Sequence, residues 1–213
     1  MKTSFLTAAI ALFSLCNVHA DKKEKAIDML GKDLSAWQGS SGGEPSAGWE
    51  LKDGVLVRNG KAGYIWTKER FDNFVLDLEF NTEGNSGVFI RTDNVKNPVQ
   101  TGIEVQVNNP GGPNRNSVGS LYDLVAPSKD ASKGGEWNHM VITVNDNMIT
   151  VELNGEKVTE MDLDKWTEGN KNPDGSKNKF KTPLKDFVRD GHIGFQDHGA
   201  KVSYRNVRIT NLD

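Results

Sequence analysis

Apolar and polar residues alternate along most of the chain after residue 48. Apolar residues take every second position in Phe74–Phe80, Val88–Ile90 and Ile103–Val107. Successive side chains of a strand point to opposite faces, so this pattern predicts strands with one buried face each. Asp53-Gly54 and Asn154-Gly155 mark hairpin turns between such strands. About a dozen strands with regularly spaced turns predict an all-β sandwich or jelly roll, with at most a helical turn or two near residues 26–30.

Composition removes several classes of protein. The 213 residues include 26 Lys and Arg against 29 Asp and Glu, for a net charge of −3. This balance argues against a strongly basic nucleic-acid-binding protein. The single cysteine, Cys16, cannot form a disulfide framework or a cysteine-based zinc site. The 22 glycines fit a fold made of many short strands and turns.

The first twenty residues have the pattern of a secretory signal peptide. Lys2 supplies the positive start, an apolar stretch covers Phe5–Leu15, and Ala20 is a small residue suited to cleavage. Cys16 would allow a lipoprotein alternative, but Leu15 is bulky where a small residue is expected. We therefore expect cleavage after Ala20, a single β-sandwich domain over residues 21–213, and a periplasmic or secreted protein. No later stretch is apolar and long enough to predict a membrane span.

Three predicted strands present large polar or aromatic side chains on the face opposite their apolar residues. On strands around residues 86–107 and 192–198, the apolar positions point inward. The positions between them then point outward, namely Phe89, Arg91, Glu104, Gln106, Gln196 and His198. Such a set at the centre of a sheet indicates the floor of a binding groove. The alternative is an ordinary solvated sheet face, on which Arg91 and Glu104 would form an ion pair of about 1 kcal/mol or less.

Glycines beside these strands favour the groove. Gly87, Gly102, Gly119 and Gly194 lie in or next to strands, where glycine often lets a ligand or another part of the chain come close. Tyr122 is expected at the rim of the groove. Arginine, glutamate, glutamine and aromatic side chains together suit a sugar, because polar groups bind its hydroxyls and an aromatic ring contacts its C–H face.

A long polar segment, residues 164–190, interrupts the regular spacing of the strands. It is rich in Lys, Asn and Gly. Connections of this length are usually either functional or disordered. Trp166 lies in this segment and is the candidate for a substrate lid or a partner contact.

Several short motifs, taken in order, resemble one family. They are Asn85-Ser86-Gly87 followed by Arg91, Glu104-Val105-Gln106, Gly119-Ser120-Leu121-Tyr122, and Gly194-Phe195-Gln196-Asp197-His198-Gly199. Together with Gly31–Trp37, Glu136-Trp137-Asn138 and Leu153-Asn154-Gly155, they resemble the 3-keto-disaccharide hydrolase family. The resemblance implies a concanavalin A-like jelly roll and cleavage of glycosides whose sugar carries a ketone at C3. It also implies a secreted bacterial protein with a functional link to a sugar oxidoreductase that makes the ketone.

The chemistry implied by this resemblance needs a base, a group that stabilises an enolate, and an acid. The ketone acidifies the C2 hydrogen, so proton removal can be followed by loss of the C1 aglycone and addition of water. We expect His198 or Glu104 as the base and Arg91 at the enolate oxygen. Gln106, Gln196 and Tyr122 would orient hydroxyls or protonate the leaving group, with Phe89 and Trp166 as further substrate contacts. The alternative is that Glu104 and His198 hold a divalent metal ion, although no recognised metal motif is present.

Two other functions remain open from the residues. A non-catalytic carbohydrate-binding module could have the same fold, since a fold does not fix a function. A sandwich-type endoglucanase is the other alternative, but ordinary glycosidases use a pair of carboxylates. The predicted groove strand carries Glu104 followed by Gln106, and so only one acid.

Overall fold

The computed structural model describes residues 25–108 and 111–212. The predicted signal peptide and Cys16 lie outside these residues. In the parts that are described, no helix combines the length and the apolar character needed to cross a bilayer.

The described residues form thirteen strands in two antiparallel sheets. The strands are β1 Ile27–Asp28, β2 Trp37–Gly39, β3 Trp49–Lys52, β4 Val55–Arg58, β5 Ile65–Thr67, β6 Phe74–Thr82, β7 Ser86–Thr92, β8 Ile103–Val107, β9 Asn138–Asn145, β10 Met148–Leu153, β11 Glu156–Asp162, β12 His192–Phe195 and β13 Val202–Asn211. The larger sheet has the order β11-β10-β9-β6-β13-β4-β3, with β1 also paired to β13. The smaller sheet has the order β2-β5-β12-β7-β8. The predicted all-β jelly-roll sandwich is confirmed.

The core lies between the facing sides of the two sheets. From the larger sheet, Phe74, Leu76 and Leu78 contribute fully buried side chains at every second position. From the smaller sheet, Val88 and Ile103 belong to the same apolar cluster. The period-two pattern in the sequence therefore identified the inward side of these strands correctly.

Helical structure is scarce, and the predicted turn near residues 26–30 is wrong. Ile27 and Asp28 pair instead with Ile209 and Arg208 as the short strand β1. One four-residue helix, α1 (Pro98–Thr101), precedes β8, and 3-10 turns cover Leu163–Lys165 and Leu184–Asp186.

The polar segment 164–190 folds back onto the small sheet. Internal hydrogen bonds define its shape, including Trp166 Nε1 to Asn172 Oδ1 at 2.8 Å and Asn178 Nδ2 to Asn172 Oδ1 at 3.0 Å. Arg115 ties it to the neighbouring loop through Asp174 Oδ2 at 2.6 Å. The segment therefore covers part of the face of the small sheet that points away from the core.

Candidate active site

The outer face of the small sheet is covered rather than solvated. Phe89 is fully buried, and Glu104, Gln106 and Gln196 are exposed by only 5%, 1% and 5%. Residues 117–125 run along the free edge of β8, where the Tyr122 amide donates to the Glu104 carbonyl at 2.9 Å. The solvated-face alternative is therefore wrong for these positions.

Five of the predicted site residues line one cavity on this face. The cavity has a volume of about 290 Å³, and we call it the Glu104 cavity. Its lining residues are Tyr64, Asn85, Val99, Glu104, Gln106, Tyr122, Lys179, Gln196 and His198. They come from the edge strand β8, from the ends of β5, β7 and β12, from α1, from the β8 edge loop and from segment 164–190. Glu104, Gln106, Tyr122, Gln196 and His198 thus meet although they are separated by up to 94 positions.

Gly87 provides the space for the Glu104 carboxylate. Gly87 lies opposite Gln106 in the β7–β8 ladder, beside the Phe89–Glu104 pair. A Cβ atom at position 87 would lie 2.4 Å from Glu104 Oε1 and 2.8 Å from its Cγ. The glycine therefore lets the glutamate side chain lie across the neighbouring strand.

Lys179 places a positive charge beside this carboxylate. Its Nζ is 3.9 Å from Glu104 Oε2 and 4.2 Å from the centre of the Tyr122 ring. The ammonium is thus positioned by an opposite charge and by the face of an aromatic ring. A buried carboxylate and a half-buried ammonium at this distance form a compact acid–base pair in the wall of the cavity.

The backbone of Lys179 is held on both sides. Its amide donates to Asp123 Oδ2 at 2.7 Å, and its carbonyl accepts from Gln100 Nε2 at 2.8 Å. Gln100 Oε1 also accepts from the Lys181 amide at 3.2 Å. These bonds fix where segment 164–190 crosses the cavity, and therefore where the ammonium can reach.

Burial changes the protonation of both charged groups. Desolvation raises the pKa of Glu104 to about 7, while Lys179 and a hydrogen bond from Gln196 act in the opposite direction. Desolvation likewise lowers the pKa of Lys179, against the attraction of Glu104 and Asp123. A carboxyl that titrates near neutrality is suited to taking up and releasing a proton.

Two amide groups complete the floor of the cavity. Gln196 hydrogen-bonds Glu104 and the Tyr64 hydroxyl, and Gln106 Nε2 donates to Asn85 Oδ1 at 2.5 Å. Within residues 25–108 and 111–212, the buried side-chain oxygens of Gln106 and Gln196 have no hydrogen-bond partner. They are the natural acceptors for hydroxyl groups of a bound sugar.

His198 reaches the cavity through a turn rather than through a strand. β12 ends at Phe195, and Asp197 Oδ1 accepts from the Gly199 amide at 3.0 Å. Asp197 also accepts from the Ala62 and Gly63 amides at 2.9 Å each and pairs with Arg58 Nε at 2.6 Å. The His198 turn is therefore joined to the loop that precedes Tyr64, and the strands next to them, β12 and β5, are paired.

Three predicted site residues lie outside the cavity lining. Arg91 is fully buried, and its guanidinium contacts Asp72 at 3.4 Å rather than Glu104. The cause is a bulge: Arg91 has φ 49°, and the β7–β12 register shifts between His192 and Gly194, so strict alternation ends there. Arg91 therefore does not lie on the groove floor, and its predicted position is wrong.

Trp166 and Phe89 are packed into the protein. Trp166 is only 7% exposed and belongs to the core cluster, so the expected exposed lid is not formed by this residue. Phe89 lies on the outer face as predicted, but it packs against Tyr64 and Trp66, with ring centres 5.7 Å away in each case. Its contribution is to support Tyr64, which lines the cavity.

The family of the chain follows from comparison with known proteins. A family model described as a 3-keto-alpha-glucoside-1,2-lyase-like domain matches residues 24–210. The chain belongs to this family. The likeness inferred from the ordered motifs is thereby confirmed.

Relatives of the 3-keto-alpha-glucoside-1,2-lyase-like family agree with this assignment. A 3-keto-disaccharide hydrolase of Bacteroides thetaiotaomicron is 28% identical over 222 residues, covering 86% of this chain and 77% of the relative. A solved structure from Parabacteroides distasonis, provisionally named a glycosyl hydrolase, is 36% identical with a TM-score of 0.80, covering 88% of this chain and all of that one. Family and relatives together support a hydrolase-type, carbohydrate-processing function.

A more distant structure shows the fold alone. A Bacillus subtilis protein with a galectin-like fold is 12% identical with a TM-score of 0.50, and the match covers 82% of this chain and 89% of that one. The lyase-like family thus uses a sandwich architecture that is shared well beyond its own sequences.

The lysine of the site was not predicted from the sequence. Lys179 is one of several lysines in a polar segment without hydrophobic periodicity, so no local pattern distinguishes it. Tyr64 and Asn85 also line the cavity and were not assigned to the site from the sequence. The available signal was segment 164–190 itself, a long segment that has no strand pattern.

The donor set is a poor match for a divalent metal ion. Glu104 and His198 both line the cavity, as a shared metal would require. However, the Lys179 ammonium lies 3.9 Å from the same carboxylate and would repel a dication there. In the described part of the chain, no group of three or more His, Asp or Glu side chains is arranged for a metal. Metal binding stays an untested alternative, and no step below uses it.

Proposed function

We propose that the protein cleaves glycosides whose sugar carries a ketone at C3, by elimination followed by addition of water. The observation that carries this proposal is Glu104, a buried carboxyl with a pKa of about 7 beside Lys179 in a cavity lined by amide groups. The family description and the B. thetaiotaomicron relative support this class of substrate.

Glu104 is the base in the proposed reaction. Its carboxylate removes the C2 proton, and the electron pair of the C–H bond moves toward the C3 carbonyl to give an enolate. The Lys179 ammonium, rather than Arg91, stabilises the negative charge on the C3 oxygen. Preorganised charge of this kind is usually a large contribution to catalysis.

Collapse of the enolate then breaks the C1–O bond. The leaving oxygen takes a proton, which we assign to His198 because this residue is exposed at the wall of the cavity. Water then adds to C1 of the resulting enone and gives a proton to His198, while Glu104 returns its proton to C2. Both side chains recover their starting state, and the free 3-keto sugar is released. Gln106 and Gln196 hold hydroxyl groups of the ring through their buried amide oxygens.

The composition of the cavity favours this reaction over its rivals. Glu104 is the single carboxyl among the described lining residues, whereas retaining and inverting glycosidases need two. A binding module needs no ionisable pair kept away from water, and a buried charge is costly unless it serves a purpose. Secretion, and supply of the ketone by a sugar oxidoreductase, belong to the same proposal.

Substrate oxidation state provides the test. Purified protein is incubated with a 3-keto-glucoside and with the unoxidised glucoside, and aglycone release is measured. Release from the oxidised substrate alone supports the proposal, release from both indicates an ordinary glycosidase, and binding of sugar without release indicates a binding module.

Substitution of the base makes this test specific. Glu104→Gln should abolish release of aglycone and solvent deuterium exchange at C2 of the ketone. Glu50→Gln, which changes an exposed carboxyl on β3, is the matched control and should retain both. Full activity of Glu104→Gln would reject Glu104 as the base.

A further inference from the structure

A second cavity adjoins the Glu104 cavity. It has a volume of about 440 Å³ and is lined by Ser40, Ser41, Tyr64, Val95, Lys96, Pro98 and Val99. We call it the Ser40 cavity. Tyr64 and Val99 line both cavities, so the two are neighbours across these side chains.

The wall shared by the cavities is firmly held. Tyr64 packs against Trp66 and Phe89, with ring centres 5.8 and 5.7 Å away. Its hydroxyl bonds Gln196 in the floor of the Glu104 cavity. Val99, on α1, is 41% exposed. Together they present a fixed aromatic ring and an open aliphatic surface to whatever extends from one cavity into the other.

The Ser40 cavity combines apolar and hydrogen-bonding groups in the manner of a sugar site. Val95, Pro98 and Val99 supply aliphatic surface, and Ser40, Ser41 and Lys96 supply donors. The Ser40 hydroxyl oxygen accepts from Trp66 Nε1 at 3.0 Å, which leaves its own hydrogen to donate elsewhere. A hexose has both an apolar C–H face and hydroxyl acceptors, so it can use both kinds of group.

We propose that the Ser40 cavity is the subsite for the leaving group, and that its occupant is the second hexosyl unit of a 3-keto-disaccharide. This inference rests on the proposed function, in which the C1 substituent must lie next to the ring held in the Glu104 cavity. Tyr64 and Val99 stand where that glycosidic bond passes from one cavity to the other.

The subsite is also linked to Lys179 through α1. Val99 and Gln100 are adjacent in α1, and Gln100 holds the Lys179 carbonyl at 2.8 Å. A leaving-group sugar packed on Val99 therefore contacts the same turn that fixes Lys179. Occupation of the Ser40 cavity should accordingly favour the position of the ammonium required for enolate formation.

The test compares two substrates that differ only in leaving group. One is a 3-keto-disaccharide and the other is methyl 3-keto-glucoside. The double variant Ser41→Ala/Lys96→Ala removes two donors from the Ser40 cavity without touching the Glu104 cavity. It should lower kcat/KM for the disaccharide by about threefold to tenfold per lost hydrogen bond and leave the methyl glycoside within about twofold.

Matched controls and a binding measurement make each outcome decisive. Lys52→Ala, at an exposed position on β3, should change neither substrate. Equal effects of the double variant on both substrates, or no effect on either, would overturn the subsite.

If the wild-type protein cleaves neither substrate, the proposed function fails, and calorimetric titration of Glu104→Gln with both compounds decides the subsite separately. The subsite is supported if the disaccharide binds more tightly than the methyl glycoside and Ser41→Ala/Lys96→Ala abolishes this difference. It is overturned if the two compounds bind equally or not at all.

Discussion

The Glu104 carboxylate occupies the volume that a side chain at position 87 would need. An added Cβ would approach Glu104 Oε1 to 2.4 Å, far inside van der Waals contact. The atoms in conflict belong to the end of a flexible side chain, so the carboxylate rather than the backbone would move. Position 87 therefore controls where the proposed base points.

Gly87→Ala should reduce activity much more than stability. Displacing the carboxylate by about 1 Å can lower kcat about 100-fold, because proton transfer depends on close alignment. Gly39→Ala in β2 is the control, since its added Cβ would meet only Glu44 O at 3.4 Å. We would measure kcat/KM together with urea unfolding. Equal loss of activity in both alanine variants would show that the effect does not pass through Glu104.

The rate should follow the ionisation of Glu104. The base must be deprotonated, so kcat/KM for a 3-keto-glycoside should rise with pH through about 7 as Glu104 ionises. A pH–rate profile between pH 5 and pH 9 provides the measurement. A rate that is already at its plateau at pH 5 would contradict a base with this pKa.

Loss of the Lys179 charge should change both the rate and its pH dependence. Lys179→Met removes the group at the enolate oxygen, which should lower kcat by a factor on the order of 100 to 1000. It also removes the attraction that lowers the pKa of Glu104, so the rising limb of the profile should move to higher pH. Lys181→Met, at an exposed position two residues away, should alter neither property. An unchanged limb would mean that Lys179 and Glu104 do not interact in solution.

Burial of Glu104 should cost stability above neutral pH. Its pKa rises from 4.5 to about 7 on folding, which corresponds to about 3 kcal/mol. Below about pH 4.5 the carboxyl is protonated in both states, so the cost is absent there; it develops between pH 4.5 and about 7, where the unfolded chain ionises first, and is complete above about 7. Glu104→Gln should therefore raise the free energy of unfolding by about 3 kcal/mol more at pH 8 than at pH 4. Denaturant unfolding at the two pH values measures it, and a pH-independent difference would argue against a neutral carboxyl in the folded protein.

The Arg58–Asp197 pair should hold the His198 turn against β4 of the larger sheet. Both side chains are largely buried, at 9% and 12% exposure, and Asp197 also accepts from backbone amides on both sides. Removing one partner of a buried pair typically costs about 3 to 5 kcal/mol, so Asp197→Asn should be strongly destabilising.

A pair with the same geometry on the surface provides the comparison. Arg70 Nε and Asp190 Oδ2 are also 2.6 Å apart, but the Asp190 side chain is 53% exposed. Asp190→Asn should cost about 1 kcal/mol or less, because water screens an exposed pair. Similar thermal shifts for the two asparagine variants would show that burial of Asp197 is unimportant.

Local alternation explains which parts of the site could be predicted. Glu104, Gln106 and Gln196 follow regular strand positions, so their side chains could be assigned to one face before their neighbours were known. The same rule failed at Arg91, because a bulge with a positive φ lies there and the sequence carries no mark of it. His198 reaches the cavity, but through a turn after the end of β12 rather than by continued alternation.

Contacts outside the regular strands explain which features of the site could not be predicted. Trp166 lies among polar residues, yet its indole is buried because Asn172 satisfies the ring nitrogen. Lys179 meets Glu104 only because Gln100 and Asp123 anchor its backbone. The first contact joins two residues of one irregular segment, and the second depends on side chains far away in the chain; periodicity gives no signal for either.

Lys179 reaches Glu104 from segment 164–190, which contains none of the thirteen strands. Loops outside the ladders of a sheet can open more readily than the sheets beneath them. An opening of segment 164–190 would remove the ammonium from Glu104 while both sheets stay paired. Turnover should then disappear at lower denaturant concentration than the circular dichroism signal of the strands, so that catalysis serves as an intrinsic reporter of a partly opened state.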